Sequence, residues 1–178
     1  MAKQKLHPAE KATEVAMFVS NAIGAAGIAS VVCGSLRRKL ERVHDVDLVV
    51  LGDLTDATEA IIQESDLCSV SLDVKENKSV DKKIQHVVVR GIQVDLFKVN
   101  RESLGAMILF LTGNKMFNIL MRSRAKRMGY KLSQYGLYHG EEIIAGRSEC
   151  QIFEALDMRF VEPIGRSMSP GDRFDTLT

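Results

Sequence analysis

The stretch VVCGSLRRKLERVHDVDLVV, from Val31 to Val50, holds most of the information about the fold. Both of its ends are apolar and β-branched, whereas its middle carries charged residues and a Gly-Ser pair. β-Branched runs favour strands, and glycine and serine favour turns. The stretch therefore predicts two buried strands, joined by a polar connection that begins at Gly34 and ends at Asp45.

Hydrophobic periodicity predicts further helices and strands on both sides of this stretch. The predicted helices are residues 9–24, 55–64, 102–113, 114–129 and 152–158. The predicted strands are residues 28–33, 45–51 and 70–75, and two hairpins over residues 85–99 and 131–144. The first hairpin turns near Arg90 and Gly91. Thr55 is the predicted N-cap of the second helix, and Ser148 with Gln151 forms a capping box before the last helix.

The periodicity changes near residues 100–105, which divides the chain into a first part, 1–104, and a second part, 105–178. The first part is predicted to form a mixed sheet with helices, and the second a smaller unit of helices and a β-hairpin. The predicted fold class is therefore α+β, that is, mixed α/β.

The composition is that of an ordinary globular protein. The chain has 178 residues, of which 46% are hydrophobic and 26% charged, and its net charge is +1. A nucleic-acid partner is neither indicated nor excluded by this total, because local basic patches bind phosphate. The three cysteines are far apart, which argues against a disulfide framework or a zinc site. With no apolar run of about 18 residues, we expect a soluble, intracellular protein of the cytoplasm or nucleus.

Carboxylates share one face of the central strands. Side chains alternate along a strand, so Asp45 and Asp47 lie on one face, and Asp95 lies on the polar face of a later strand. Like charges about 4 Å apart repel by several kcal/mol at low dielectric, so a cation is expected between them. Hard oxygen ligands favour Mg²⁺. His86, in the same hairpin as Asp95, is predicted to be a surface residue.

The Gly-Ser pair before these carboxylates is typical of a phosphate site. Gly34 and Ser35 end a strand and begin a short helix, which leaves backbone N–H groups for phosphate, and Arg38 follows. Taken singly, D-x-D is more often a solvated strand end and Gly-Ser simply a turn. Together with Asp95, they favour phosphoryl or nucleotidyl transfer with two metal ions.

Three motifs extend this pattern into a resemblance. They are GSLRR at 34–38, DVD at 45–47 and VD at 94–95. Their order is similar to that of the nucleotidyltransferase palm of the family X DNA polymerases. The segment FLTGNKMFNILMRSRAKRMGYKLSQYGLY, residues 110–138, resembles the thumb of that family, and SECQIFEALDMRFVEP, residues 148–163, resembles its closing helix and turn.

The resemblance implies roles for individual residues. Asp45 and Asp47 would bind both Mg²⁺ ions, for which Mn²⁺ is a substitute, and Asp95 would bind the catalytic ion and orient the primer 3′-hydroxyl or accept its proton. Gly34, Ser35 and Arg38 would hold the β- and γ-phosphates. Further nucleotide contacts are implied for Phe110, Thr112, Gly113 and Asn118. A cis peptide bond is implied between Gly113 and Asn114, and a contact with the template strand for Arg122.

Several departures from the family accompany the resemblance. Phe110 is followed by Leu111 where the family commonly has a second aromatic residue, which affects discrimination against ribonucleotides. Gln93 stands where many members have arginine. The chain has no room for the lyase domain and the helix-hairpin-helix segment of larger members, and we expect the minimal palm-plus-thumb form known from some viruses, with a palm over 1–104 and a thumb over 105–178.

An acid-free basic run suggests how DNA would be held without those domains. The basic residues between positions 115 and 131 are Lys115, Arg122, Arg124, Lys126, Arg127 and Lys131. Helical spacing places Arg122 and Lys126 on one face, and we expect Arg124, Arg127 and Lys131 near it. The usual explanation of such a run is a solvated helix face. The hypothesis favoured here is contact with the phosphate backbone of DNA.

The expected function is that of a family X DNA-directed DNA polymerase that fills short gaps during DNA repair. Its substrates would be a dNTP and primer-template or gapped DNA, a DNA ligase is a candidate partner, and a monomer is expected. One alternative is a nucleotidyltransferase that is template-independent or does not act on DNA. The other is a DNA-end-binding module with a dead site, although such a module has no reason to keep three carboxylates on strands.

Overall fold

The chain folds into two compact units, Met1–Val99 and Asn100–Thr178. The structure is a computed structural model that describes residues 5–74 and 83–172. Both units combine helices with sheet, so the predicted mixed α/β fold class is confirmed. Lys75, the last residue of one predicted strand, lies outside the described residues. Within the described parts of the chain, no helix has both the length and the apolar character that crossing a membrane requires.

The first unit contains a five-stranded sheet and a small two-stranded one. Its elements are β1 (His7–Pro8), α1 (Ala9–Ala25), β2 (Ala29–Val32), α2 (Gly34–Arg37), β3 (Arg42–Val43), β4 (Asp45–Leu51), α3 (Leu54–Leu67), β5 (Leu72–Val74), β6 (Ile84–Val89) and β7 (Ile92–Lys98). The order in the large sheet is β2-β4-β7-β6-β5, and β1 pairs with β3. Strands β4 and β7 are parallel, and the other neighbours are antiparallel.

The core of the first unit lies on one face of the large sheet. Strand β4 contributes Val46, Leu48 and Val50, which are fully buried together with apolar residues of α1 and α3. Because side chains alternate along a strand, burial of these three fixes the orientation of the whole strand. Asp45 and Asp47 must therefore lie on the opposite face.

The start of α3 differs from the prediction. The sequence predicts Thr55 as the N-cap, but the N-cap is Asp53, whose carboxylate accepts a hydrogen bond of 2.8 Å from the Thr55 backbone N–H. Leu54 already belongs to the helix, and its side chain is buried. The helix thus begins earlier because its first apolar residue joins the core.

The second unit packs helices on a three-stranded antiparallel sheet. Its elements are α4 (Leu104–Thr112), α5 (Lys115–Arg127), β8 (Lys131–Ser133), β9 (Gly136–His139), β10 (Glu142–Ala145) and α6 (Glu149–Ala155), with short 3-10 turns at Arg101–Ser103 and Pro163–Arg166. The prediction of one hairpin over 131–144 is therefore incomplete. The segment reverses twice, after Ser133 and after His139, and gives the strand order β10-β9-β8. The capping residue Ser148 is confirmed, since its hydroxyl accepts from the Gln151 backbone N–H.

A buried arginine lies in the core of the second unit. Arg166 is fully buried, and its Nη1 lies 2.5 Å from Oε1 of Glu149, which is 8% exposed. The guanidinium also lies 5.2–5.4 Å from the ring centroids of Phe117, Phe153 and Phe160. Removing one partner of a buried ion pair leaves the other charge uncompensated, which costs far more than the pair itself contributes.

We therefore expect Arg166→Met to lower the free energy of unfolding by about 3 kcal/mol or more. Arg147→Met is the matched control, because Arg147 pairs with Glu102 at 2.9 Å on the surface, and such pairs contribute about 1 kcal/mol or less. The measurement is urea denaturation of both variants. Adding Glu149→Gln to Arg166→Met is expected to recover part of the loss, and equal effects of Arg166→Met and Arg147→Met would contradict the role of the buried pair.

Candidate active site

Three carboxylates meet on the face of the large sheet opposite the core. The parallel register pairs Asp47 of β4 with Asp95 of β7, and Asp45 lies two residues before Asp47 on the same face. Neighbouring strands are about 4.8 Å apart, so residues in register are close neighbours. All three side chains are partly buried. The structure thus brings together the carboxylates that the sequence predicts on one face.

The electrostatics of this cluster is dominated by burial and like charge. Burial, followed by the neighbouring Asp45 and Asp95, raises the pKa of Asp47 to about 7. Burial and then Asp95 raise the pKa of Asp45 from its ordinary value. The Arg38 guanidinium opposes the shift of Asp47. The cluster therefore holds more negative charge than its surroundings compensate.

Mg²⁺ fits the chemistry of these donors. The three carboxylates supply hard oxygen ligands, and a cation would relieve the repulsion that raises the pKa values of Asp45 and Asp47. Among residues 5–74 and 83–172, no three His, Cys, Asp or Glu side chains form a ready-made metal cage.

Gly34 lies directly beside this cluster. Its φ is +64°, and a Cβ added to it would clash with Oδ2 and Cγ of Asp47. The backbone N–H of Cys33, one residue earlier, donates to the Asp47 carbonyl at 2.8 Å. Only glycine allows both the positive φ and this close approach. The predicted phosphate-binding turn and the predicted metal ligands are therefore in contact.

The rest of the predicted phosphate site continues from Gly34. Ser35 lies in the single helical turn α2, and Arg38 caps that turn by donating its backbone N–H to the Gly34 carbonyl. Both side chains are partly buried. Burial lowers the pKa of Arg38, and the nearby Asp47 carboxylate counteracts that effect. A cationic side chain thus lies within electrostatic reach of the carboxylates.

Sequence reasoning missed the partners of Asp95. His86, predicted only as a surface residue, is 40% exposed, and its Nδ1 lies 2.7 Å from Asp95 Oδ1. Gln93 Nε2 donates to the same oxygen at 2.8 Å. The position of the hairpin turn in the sequence was sufficient to predict that His86 lies opposite Asp95. A two-residue turn at Arg90 and Gly91 pairs Val89 with Ile92, and counting back along both strands places His86 opposite Asp95.

The predicted nucleotide-contacting residues of the second unit cluster where α4 ends and α5 begins. Thr112 is the last residue of α4 and is fully buried, and Gly113 follows with a φ of +58°. The peptide bond between Gly113 and Asn114 is cis, as the resemblance implies. The Asn118 amide Nδ2 donates to the Phe110 carbonyl at 2.6 Å, which joins the two helices.

A groove in the second unit contains two of these residues and one basic residue. Phe110 is 39% exposed, and it lines the groove with Asn118, Arg122, Leu132 and Ser133. The groove thus combines an apolar ring, an amide and a guanidinium, which together can contact a base and a phosphate.

Exposed basic residues form a stripe along α5. Lys115, Arg122 and Lys126 are exposed, and helical spacing puts them on one face. Arg127 and Lys131 are also exposed.

The prediction that Arg124 lies near this stripe is wrong. Two helical positions separate Arg124 from Arg122, which is a rotation of about 200°. Arg124 instead donates from Nε to the Leu156 carbonyl at 2.6 Å and from Nη2 to the Asp157 carbonyl at 2.7 Å. It therefore binds carbonyls at the C-terminal end of α6.

Comparison with known proteins agrees with this arrangement. The sequence model of the DNA polymerase beta thumb matches residues 107–167. Repair DNA polymerase X of African swine fever virus (isolate Tick/Malawi/Lil 20-1/1983) is 30% identical over 122 residues, 64% of this chain and 66% of the viral protein. DNA polymerase lambda of Rattus norvegicus is 25% identical over 186 residues, 89% of this chain and 32% of the relative. DNA polymerase IV of Saccharomyces cerevisiae is 33% identical over 76 residues, 43% of this chain and 13% of the relative.

These matches confirm the resemblance to the family X DNA polymerases that the motifs indicate. The chain spans 13% of the length of the yeast relative and 66% of that of the viral one.

The raised pKa of Asp47 predicts a stability that depends on pH. Asp47 titrates near 7 in the folded protein and near 3.8 when unfolded, so the folded state is penalised progressively as pH rises from about 4 to 7. Asp47→Asn mimics the neutral carboxyl and removes this penalty. In metal-free buffer we expect the variant to be more stable than the wild type by on the order of 4 kcal/mol at pH 8.

The difference should largely disappear near pH 3.5, where the wild-type carboxyl is protonated in the folded state and mostly protonated in the unfolded state. Urea denaturation at several pH values measures it. Parallel stability profiles of the two proteins across this range would contradict the proposed repulsion.

Proposed function

We propose that this protein is a DNA-directed DNA polymerase that adds dNMP to a primer 3′-hydroxyl, in short-gap filling during DNA repair. The observation that carries the proposal is the register of β4 and β7, which sets Asp47 beside Asp95 and next to Gly34. The likeness to the family X DNA polymerases supports it, and so does the name of the viral relative, a repair DNA polymerase. The first unit would be the palm and the second the thumb.

The proposed chemistry is nucleotidyl transfer assisted by two Mg²⁺ ions. Bound at the carboxylates, these ions would activate the attacking 3′-oxygen and stabilise charge on the phosphates. Asp45 and Asp47 would hold both ions, and Asp95 would hold one and orient the 3′-hydroxyl. The conformation of Gly34 brings the backbone close to Asp47, so phosphates bound at Gly34, Ser35 and Arg38 would lie beside the metal ligands.

The second unit would bind the base pair and the template. Asn118 and Arg122 line one groove with Phe110, which suits contact with a nucleotide base and a neighbouring phosphate. The exposed stripe of Lys115, Arg122 and Lys126 would track the phosphate backbone. Arg127 and Lys131 remain proposed as flanking contacts, and Arg124 is left out because its donors bind the carbonyls of Leu156 and Asp157, which follow α6.

Primer extension on several DNA structures separates the proposed function from its rivals. The substrates are labelled primers in nicked, gapped, recessed and single-stranded DNA, each with single dNTPs and one rNTP. Template-dependent insertion, strongest in short gaps, is expected. Extension that ignores the template would indicate a template-independent transferase, and DNA binding without extension would indicate a dead end-binding module. Including a DNA ligase and measuring molecular mass in solution tests the proposed partner and monomeric state.

Asp95→Asn is expected to abolish Mg²⁺-dependent extension, because the variant loses a metal ligand. DNA binding should stay intact or become stronger, since a negative charge is removed near the primer. Asp73→Asn is the matched control: Asp73 is exposed on β5 of the same sheet, outside the carboxylate cluster. Normal turnover by Asp95→Asn would overturn the assigned mechanism.

The basic stripe predicts salt-dependent DNA binding. Each neutralised phosphate lowers the logarithm of the affinity by about 0.9 per tenfold increase in salt. The double variant Arg122→Ala/Lys126→Ala should therefore reduce this slope by roughly 2 and weaken binding to different DNA sequences alike. Lys11→Ala on α1 serves as the control and should leave the slope unchanged. Fluorescence anisotropy over a salt series measures the slope for each protein. An unaltered slope in the double variant would refute the role of the stripe.

A further inference from the structure

Asp47, Asp95 and His86 form a row across three neighbouring strands of the large sheet. The parallel register pairs Asp47 with Asp95, and the antiparallel register pairs Asp95 with His86. Paired residues project from the same face of a sheet, so all three side chains lie on the face of the carboxylate cluster. His86 is therefore a neighbour of the proposed catalytic site.

The direction of the bonds at Asp95 follows from the chemistry of the groups. When Asp95 is ionised, its carboxylate only accepts hydrogen bonds, so His86 Nδ1 then carries the proton and donates at 2.7 Å. Gln93 Nε2 donates to the same oxygen, Oδ1, at 2.8 Å. A carboxylate oxygen has about two lone-pair directions. The two donors therefore use both acceptor directions of Oδ1. The other oxygen, Oδ2, is the one that can bind a further ligand.

We propose that His86, assisted by Gln93, is a positioning residue that makes Asp95 a one-oxygen ligand through Oδ2. This inference rests on the proposed function, in which Asp95 holds a metal ion and orients the 3′-hydroxyl. Both donors lie on strands of the sheet, which keeps them in place. With Oδ1 bound twice, Asp95 cannot rotate to exchange its oxygens or bind a cation through both.

The position of His86 suits this role better than a purely structural one. The ring is 40% exposed and Asp95 is 14% exposed, so the pair lies at the border of the site and not in the core. Truncating a partly exposed side chain opens no cavity, and removal of its donor should act mainly on Asp95. Partners that orient a metal-binding side chain typically change metal affinity or activity by about 10–100-fold when they are removed.

The test compares two substitutions at position 86. His86→Leu removes the donor at similar size, whereas His86→Asn places an amide N–H near the position of Nδ1. The first readout is binding of Mn²⁺ to the full chain without DNA, followed by electron paramagnetic resonance of the free ion. We expect His86→Leu to weaken binding about tenfold and His86→Asn to restore most of it. His139→Leu in the second unit is the control and should bind Mn²⁺ like the wild type.

The second readout is the wild-type ring itself, which does not depend on whether a variant folds. ¹⁵N spectra of the metal-free wild-type protein should show a protonated Nδ1 on His86, with the shift of a hydrogen-bonded proton. An unprotonated Nδ1, or Mn²⁺ binding by His86→Leu equal to that of the wild type, would overturn the proposal.

Primer extension separates this inference from the proposed function. If the wild type extends primers and His86→Leu has the same Mg²⁺ requirement, only the role of His86 fails. If the wild type neither extends primers nor binds Mn²⁺, the proposed function fails as well. A higher Mg²⁺ requirement of His86→Leu that His86→Asn reverses supports both.

Discussion

Repulsion among Asp45, Asp47 and Asp95 is the constraint on which the first unit depends. These carboxylates share one sheet face because the alternate residues of β4 and β7 are buried in the core. Burial of the side chain, followed by this repulsion, raises the pKa of Asp47 to about 7. The protein tolerates this cost because hydrophobic packing on the other face holds the strands in register. The proposed cation site thus lies on the same strands that form the core.

The second unit depends on a different buried charge. Arg166 contacts three aromatic rings and Glu149, and its backbone carbonyl accepts from the Asn114 N–H at 3.2 Å. Asn114 caps α5, the helix that presents Asn118 and Arg122. The core of this unit therefore holds the start of the helix whose exposed face carries the proposed DNA contacts. This link explains how residues remote from the groove can control its geometry.

Much of the fold could be predicted because its elements are locally specified. The period of two in DVDLVVL placed Asp45 and Asp47 on the polar face, and the turn at Arg90 and Gly91 defined the hairpin of β6 and β7. Predictions failed where long-range contacts decide. Thr55 is not the N-cap of α3, because Leu54 belongs to the helix and packs in the core. Arg124 lies away from the basic stripe, because its guanidinium binds the Leu156 carbonyl at the end of α6.

Neighbours along the chain specify which residues alternate, which turns need glycine and which family the motifs resemble, so the amino-acid order is sufficient to predict these properties. Three features instead require the folded sheet: Asp47 lies opposite Asp95, a Cβ at Gly34 would clash with the Asp47 carboxylate, and His86 and Gln93 share one oxygen of Asp95. Strand order and register bring together residues far apart in sequence, and alternation along one strand does not specify which strand will be its neighbour.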